Sequence, residues 1–395
     1  MAERDAPPGP RFGVEEEFLV VDPVTRCVVP HAAPVIARAA ARLGPRVSGE
    51  ITKLHVETRT DPVSSAGALL DQLTEARRVV VESAAAEGLR VVAAGTPVLP
   101  GPSVPPVTEG PRQDRGTATF RGLHDELAIC ALHVHVELPD RERALRVSNH
   151  LRAYLPLLIV LTANSPYWGG RDSGYASWRT MIWPRWPVGG PPPRFTSVAH
   201  YEQVVQMLLA AGATVDTGTL FWDIRPSVTH PTLEVRVADV PVTAQESVLY
   251  AALVRALVVA ASEAVDRGDD GPDIPAEVLR VAYWRAARDG LAGELLDVRT
   301  GRLVPARELL AEVVRAVRPV LRAHGDEELV DAGADRLLAV GCGADRQRAA
   351  AARRGRLTDV VDFLVAQTGG GSGGDGGGGS GRVAVGLPVE ESKVP

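Results

Sequence analysis

Four short segments of the chain alternate between charged and apolar residues with a period of two, and this alternation is the strongest constraint on the fold. The segments are FGVEEEFLVV from residue 12, LHVETR from residue 54, LHVHVEL from residue 132 and TLEVRV from residue 232. Successive side chains of a β-strand point to opposite faces of its sheet. The alternation therefore predicts a sheet with an apolar back, which helices cover, and a front that carries carboxylates, imidazoles and guanidiniums.

The predicted front collects residue types that bind metal ions or phosphate. They are Glu15 and Glu17 on the first strand, His55, Glu57 and Arg59 on the second, His133, His135 and Glu137 on the third, and Glu234 and Arg236 on the fourth. The wet side of a one-sided antiparallel sheet is also polar, so the alternation alone leaves both interpretations open. Neighbouring carboxylates repel unless a cation lies among them, and Mg²⁺ or Mn²⁺ prefers such oxygen ligands. Arginines beside them can bind phosphate oxygens. We therefore predict a site for metal ions and nucleotide phosphates.

The remaining periodicity indicates an α+β domain on a largely antiparallel sheet. Strand patterns lie at 12–21, 51–59, 91–95, 129–138, 219–226 and 232–237, and helical patterns at 66–88, 141–164, 200–212 and 244–265, with further helices from about 276 to 366. Strands and helices are mixed without regular βαβ spacing. We expect a polar, disordered lead-in at 1–10, one catalytic domain at 11–368 and a disordered Gly-rich tail at 369–395.

Composition excludes several classes of protein. The 395 residues are 45% hydrophobic and carry a net charge of −6, without a basic block, so nucleic acid is not an expected partner. A membrane span needs an uninterrupted apolar run of about 18 residues, and the sequence contains none. The first residues lack the apolar core of a signal peptide, which favours the cytoplasm. Cys27, Cys130 and Cys342 share no metal or redox spacing and are expected to be structural thiols.

The segment 164–195 holds four of the six tryptophans among Gly, Pro and Arg residues. It is either a structural flap packed by its own aromatics or a lid over the site. As a lid it would place Arg171 or Arg179 against substrate, and Tyr167, Trp168 or Tyr175 could stack on adenine. Beyond it, Asp239 either orients Arg236 or is only the polar residue that ends a strand. The sequence favours neither alternative.

Other catalytic motifs are absent from the sequence. It has no P-loop, no dinucleotide fingerprint in the right context, no nucleophile elbow and no His-Glu-x-x-His helix. The pair His133 and His135 is weak evidence for zinc, because a third ligand is needed and such pairs are often structural.

Five motifs together resemble the carboxylate–amine ligases of the glutamate–cysteine ligase type 2 group, which are related in fold to glutamine synthetase. They are FGVEEEF, HVETRTDP, LHVHVELPD, LTANSPYWGGRDSGYASWRTMIWPRWP and FWDIRPSVTHPTLEVRVADVPVT, and they span most of residues 11–250. The resemblance implies that ATP phosphorylates a carboxylate, typically the γ-carboxylate of glutamate, and that an amine such as that of cysteine then displaces phosphate.

The resemblance also implies roles for individual residues. Two or three Mg²⁺ ions would be held by Glu15, Glu17, Glu57, His133 and Glu234. Arg236 would contact the transferred phosphate, Arg225 would bind phosphate or the substrate carboxylate, and His135 joins them as a catalytic candidate. At Glu137, relatives commonly have glycine, so a carboxylate there could alter metal occupancy or narrow the amine pocket.

Two other functions remain open at this stage. A phosphotransferase of the guanidino-kinase type uses a similar acidic sheet and arginine cluster but leaves phosphate on a stable product. A non-catalytic protein would bind ATP and Mg²⁺ without consuming ATP, although a degenerate site has no need to keep so many like charges. The expected partners are a small carboxylate and a small amine. A homodimer is one alternative for the assembly.

Overall fold

The structure, a computed structural model, describes residues 9–370 of the chain. The predicted lead-in and the predicted Gly-rich tail lie outside the described residues, except for residues 9, 10, 369 and 370. The prediction that they are disordered therefore stays a prediction. The predicted α+β architecture is confirmed in the described part, which combines an antiparallel sheet with a large helical layer.

Within residues 9–370, eleven strands form one large sheet and two small hairpins. The strands are β1 (Phe12–Val21), β2 (Val47–Gly49), β3 (His55–Arg59), β4 (Arg90–Val92), β5 (Ala131–Glu137), β6 (Tyr167–Trp168), β7 (Arg171–Asp172), β8 (Ile224–Pro226), β9 (Thr232–Asp239), β10 (Glu294–Asp297) and β11 (Arg302–Pro305). The large sheet has the order β2-β3-β1-β5-β9-β8, β4 also pairs with β1, and every pairing is antiparallel. The four alternating segments of the sequence therefore lie side by side, with β3, β1, β5 and β9 at the centre.

Fourteen α-helices are present in the described residues. They are α1 (Ala32–Leu43), α2 (Ala66–Ala86), α3 (Pro111–Phe120), α4 (Gly122–Asp125), α5 (Arg141–Leu151), α6 (Leu155–Thr162), α7 (Arg179–Ile182), α8 (Val198–Ala210), α9 (Ala244–Asp266), α10 (Ala276–Asp289), α11 (Ala306–Ala323), α12 (Glu327–Val340), α13 (Gly343–Ala352) and α14 (Leu357–Thr368). The helix predicted at 141–164 is two helices. Pro156 lies in the first turn of α6, where a backbone N–H has no partner within the helix, so proline is tolerated there. The chain turns just before α6, which separates it from α5.

The apolar back of the sheet packs against α9, the central helix of the core. Leu132, Val134 and Val136 of β5 are fully buried in one cluster with most of this helix. Helix α9 is long and apolar enough to cross a membrane, but 72% of its apolar window is buried inside the protein. It therefore has the burial of a core helix.

Glu16, the middle glutamate of β1, belongs to this back face and is fully buried. Its carboxylate accepts two hydrogen bonds from Arg77 of α2, at 2.9 and 2.6 Å, and one from Ser247 of α9. An ion pair and hydrogen bonds of this kind offset the cost of burying a carboxylate. Two of the three consecutive glutamates therefore face the front, and the third ties the sheet to its helices.

Candidate functional site

A cavity of about 550 Å³ lies against the front of the sheet. Of the residues singled out in the sequence, those that line it are Glu15, Glu17, His55, Glu57, Arg59, His133, His135, Arg179, Arg225, Glu234 and Arg236. Glu57, His133 and Glu234 are each at most 5% exposed. This front is therefore the floor of a cavity and not the wet side of an open sheet.

Strand register brings these side chains together in pairs. Glu15 lies opposite His133, Glu17 opposite Glu57, His135 opposite Glu234, and Arg225 opposite Glu234. Side chains at directly opposed positions stand close enough to interact. Residues that are far apart in the chain thus form one continuous charged surface.

The first cluster within this surface consists of Glu15, His133 and Glu234, whose potential ligand atoms all lie within 4.8 Å of one another. His133 Nδ1 is 3.0 Å from Glu15 Oε2, and His135 Nε2 is 3.7 Å from Glu15 Oε1. Burial acts to raise the pKa of Glu15, but hydrogen bonds with the two histidines outweigh it and hold the pKa well below its usual value. Burial, reinforced by the charge of Arg236, lowers the pKa of His133 to about 4, so its ring is neutral and available as a ligand at neutral pH.

A second acidic cluster consists of Glu17, Glu57 and Glu50. Burial, together with the charge of Glu57, raises the pKa of Glu17 to about 7. Burial and the charges of Glu57 and Glu17 raise the pKa of Glu50 well above its usual value. Glu50 was missed in the sequence because it follows β2 in a loop, where no alternation marks a face. Its only signal was its closeness in the chain to the strand that carries Glu57.

Two arginines converge on Glu234. Arg225 Nε donates to Glu234 Oε2 at 2.8 Å, and Arg236 Nη1 donates to Glu234 Oε1. Burial acts to raise the pKa of Glu234, but Arg236 and Arg225 outweigh it and lower that pKa well below its usual value. Arg225 also donates to the carbonyls of Gly218 and Leu220, which fixes it to the neighbouring loop. Two guanidiniums therefore stand beside the first acidic cluster.

Asp239 does not orient Arg236 by direct contact. Its carboxylate accepts hydrogen bonds from the Asn164 backbone N–H at 2.9 Å, from Ser165 Oγ at 2.7 Å and from Ser177 Oγ at 3.0 Å. Its Oδ1 lies 3.9 Å from Arg179 Nη1. Asp239 does end strand β9, as one sequence interpretation had it, but its carboxylate also holds the segment around Arg179.

The aromatic residues predicted to stack on adenine lie outside the lining of the cavity. Tyr167 is buried in a hydrophobic cluster that includes residues of β1, α1 and α2, Trp168 is partly buried against that cluster, and Arg171 is exposed in the β6–β7 hairpin. Tyr175 instead accepts a hydrogen bond from Trp284 at 3.1 Å. These positions do not support the predicted contacts with nucleotide, because none of the four side chains lines the cavity.

A different group of aromatic residues lines one end of the cavity: Phe120, Trp183, Trp186 and Phe221. Their rings pack on one another, with centroids 4.5 Å apart for Phe120 and Trp186 and 5.0 Å apart for Trp183 and Phe221. Trp183 and Trp186 belong to the predicted lid segment, so its second half does reach the site. Helix α3, which supplies Phe120, was not predicted.

Glu137, the last residue of β5, does not line the cavity. It accepts hydrogen bonds from the backbone and the side chain of Arg11, each at 3.2 Å, at the far end of β5. Neither an effect on metal occupancy nor a narrowed amine pocket is supported by this position. The carboxylate of Glu137 forms an ion pair with Arg11 instead.

The donors in the cavity fit the divalent cations expected from the sequence. Carboxylate oxygens with one neutral imidazole suit Mg²⁺ or Mn²⁺. The raised pKa of Glu17 and of Glu50 is a second indication, since crowded carboxylates are protonated when no cation compensates their charge. Glu15, His133 and Glu234, whose ligand atoms lie within 4.8 Å of one another, would hold one ion. Glu17 and Glu57, which the sequence predicts as further ligands, line the same cavity.

The family match supports a ligase of the carboxylate–amine class. The model of glutamate–cysteine ligase family 2 matches residues 11–363, and the chain belongs to this family. A Mycobacterium sp. (strain KMS) protein provisionally named glutamate–cysteine ligase 2-2 is 47% identical over 91% of this chain and 98% of its own length. A Nocardia farcinica protein provisionally named glutamate–cysteine ligase 2-1 is 46% identical over 86% of this chain and 88% of its own.

Two solved structures share the fold. Glutamate–cysteine ligase from Francisella tularensis, in complex with AMP, matches with a TM-score of 0.65 over 91% of this chain and 88% of that chain, at 11% identity. A bifunctional glutathione synthetase from Pasteurella multocida matches with a TM-score of 0.67 over 91% of this chain and 52% of that chain, at 15% identity. These similarities confirm the family and the fold predicted from the sequence.

Proposed function

We propose that the protein is a cytoplasmic, ATP-dependent ligase that joins the γ-carboxylate of glutamate to the amino group of an amino acid such as cysteine. The observation that carries the proposal is the meeting of Glu15, His133 and Glu234 with Arg225 and Arg236 in one cavity. Metal-ligand atoms beside two guanidiniums suit the transfer of a phosphoryl group. The partners are the two small substrates.

In the first step, an oxygen of the substrate carboxylate attacks the γ-phosphorus of ATP, and ADP leaves with the electrons of the broken P–O bond. Bound Mg²⁺ would neutralise charge on the phosphates. Arg236 would meet the equatorial oxygens of the phosphoryl group, because a planar guanidinium can donate to two of them at once. Arg225, held by two loop carbonyls, would bind phosphate or the substrate carboxylate.

In the second step, the neutral amine attacks the acyl carbon, and inorganic phosphate leaves as the amide forms. The amine releases one proton in this step. The apolar end of the cavity, formed by Phe120, Trp183, Trp186 and Phe221, would limit the access of water to the acyl phosphate.

The test is a screen for ADP release with amino acids supplied in pairs, followed by mass spectrometry of the products. We expect ADP and phosphate when an acid and an amine are both present, and a hydroxamate when hydroxylamine replaces the amine. Glu234→Gln serves as the inactive reference and Glu202→Gln, at a glutamate whose side chain is 57% exposed, as the matched active one. A stable phosphorylated product without hydroxamate would favour a kinase, and binding of ATP without turnover would favour a non-catalytic protein.

A further inference from the structure

The pairing of β5 with β9 is irregular at the centre of the site. The register shifts between Leu132, which pairs with Ala238, and Val134, which pairs with Val235. Arg236 and Val237 therefore both stand opposite the single residue His133. Two residues opposite one define a β-bulge, which interrupts the ladder and turns the side chains beside it. The bulge thus contains the arginine proposed to meet the phosphoryl group and lies opposite a proposed metal ligand.

Strand β8, on the other side of β9, does not extend along the bulge. Towards the bulge, the last residue pair between β8 and β9 is Ile224 with Val235. Beyond this pair, the Arg236 N–H donates to the carbonyl of Asp223, which precedes β8, at 2.7 Å. Arg179 supplies donors at this point. Its Nη1 donates to the Val237 carbonyl and its Nη2 to the Arg236 carbonyl, both at 3.1 Å. One guanidinium therefore bonds the carbonyls of both bulged residues, as a neighbouring strand would do.

Arg179 is itself held firmly. It is 2% exposed, and its backbone N–H donates to Ser165 Oγ at 3.1 Å. Asp239 Oδ1, 3.9 Å from its Nη1, supplies the opposing charge, and Asp239 is anchored in turn by Ser165 and Ser177. The segment that was predicted as a lid therefore braces β9 through this arginine.

We propose that Arg179 is a positioning residue, which fixes the bulge at Arg236 and Val237 and so aims the Arg236 guanidinium and the His133 imidazole into the cavity. The proposal rests on the proposed function, because there Arg236 is the group that meets the phosphoryl group. Lysine cannot replace Arg179, since a single ammonium on a shorter side chain does not reach two successive carbonyls with the same planar geometry.

A double-mutant cycle tests this proposal through the rate of ADP release. We expect Arg179→Lys to lower kcat by roughly 10- to 100-fold, as small displacements of a catalytic group do, with little change in KM for ATP. Adding Arg179→Lys to Arg236→Lys should slow the enzyme much less than adding it to the wild type, because one of the two groups that it misaims is already gone. Losses that multiply would mean that Arg179 acts independently of Arg236 and would overturn the proposal. Arg185→Gln, at a 41% exposed arginine of the same segment that pairs with Glu126, is the control expected to leave kcat unchanged.

Amide hydrogen exchange tests the same proposal without any substrate. In Arg179→Lys, exchange should accelerate at least about tenfold in residues 235–239 and 132–134, with little change in the pairing of β1 with β3. Uniform acceleration, or none, would show that Arg179 does not hold the bulge. If Arg179→Lys does not fold, Asp239→Asn takes its place, since it keeps the side-chain size and removes the charge that faces Arg179. If no pair of acid and amine gives turnover, the proposed function is refuted. Hydrogen exchange still tests the positioning role of Arg179 in that case, because it needs no substrate.

Discussion

Replacement of Glu17 by glutamine should stabilise the metal-free protein at alkaline pH. The carboxylate of Glu17 is buried beside Glu57, and the Ala131 N–H donates to its Oε2 at 2.7 Å. Burial is the main cause that raises its pKa from 4.5 to about 7. Because the folded-state pKa exceeds the unfolded one, the folded protein holds a proton that the unfolded chain releases between these values. The contribution of Glu17 to stability is therefore complete below pH 4.5 and is lost as the pH rises through about 7.

The size of the effect follows from the pKa shift. One pKa unit corresponds to about 1.4 kcal/mol, so a shift from 4.5 to about 7 sets an upper limit of roughly 3 kcal/mol, and part of this is shared with the neighbouring carboxylates. Glutamine carries no charge, and its amide oxygen can still accept the Ala131 hydrogen bond. We expect Glu17→Gln to raise the free energy of unfolding by about 1 to 3 kcal/mol near pH 8, and to change it little near pH 4.

The assay is urea unfolding of both proteins with a chelator and with millimolar Mg²⁺. Mg²⁺ should stabilise the wild type near pH 8, because it replaces the proton as the compensating charge, and should stabilise Glu17→Gln much less. Glu202→Gln, at an exposed carboxylate, is the control for the loss of one negative charge. A Glu17→Gln protein that is less stable than wild type near pH 8 without metal, or equal stabilisation of both by Mg²⁺, would refute the reasoning.

Three further predictions concern the site and its support. Glu57→Gln should fold but lose ADP release by orders of magnitude, with partial recovery at raised Mg²⁺ or Mn²⁺; normal turnover at ordinary Mg²⁺ would contradict its role. Arg236→Lys should lower the initial rate of hydroxamate formation roughly 10²- to 10³-fold while ATP binding, measured by calorimetry, barely changes; equal initial rates would exclude this role. Tyr283→Phe removes the 2.9 Å hydrogen bond to the buried Asp223 and should lower the free energy of unfolding by about 1–3 kcal/mol in urea; an unchanged value would show that Asp223 does not depend on it.

The sequence by itself determined which side chains share the front of the sheet. The direction of a side chain in a strand is a local property, so alternation with an apolar back was enough to place Glu15 and Glu17 together, and His133 with His135. It also separated Glu16 from its two neighbours. The family motifs, which cover most of the same strands, led to the family that the comparisons confirm.

Only the tertiary structure decided what surrounds that front. The order of the strands and their registers depend on pairings between segments that are far apart in the chain. Loops have no period, so nothing local marked Glu50 as part of the acidic cluster. Glu137 lies in β5, but its partner Arg11 is far away in the chain, so only the paired strands bring the two together. The lid segment turns between Tyr167 and Trp183, and these turns alone decide which aromatic residues reach the cavity. The bulge at Arg236 likewise exists because two strands of unequal local length are paired across it, and Arg179 can bond it only after the whole sheet has formed.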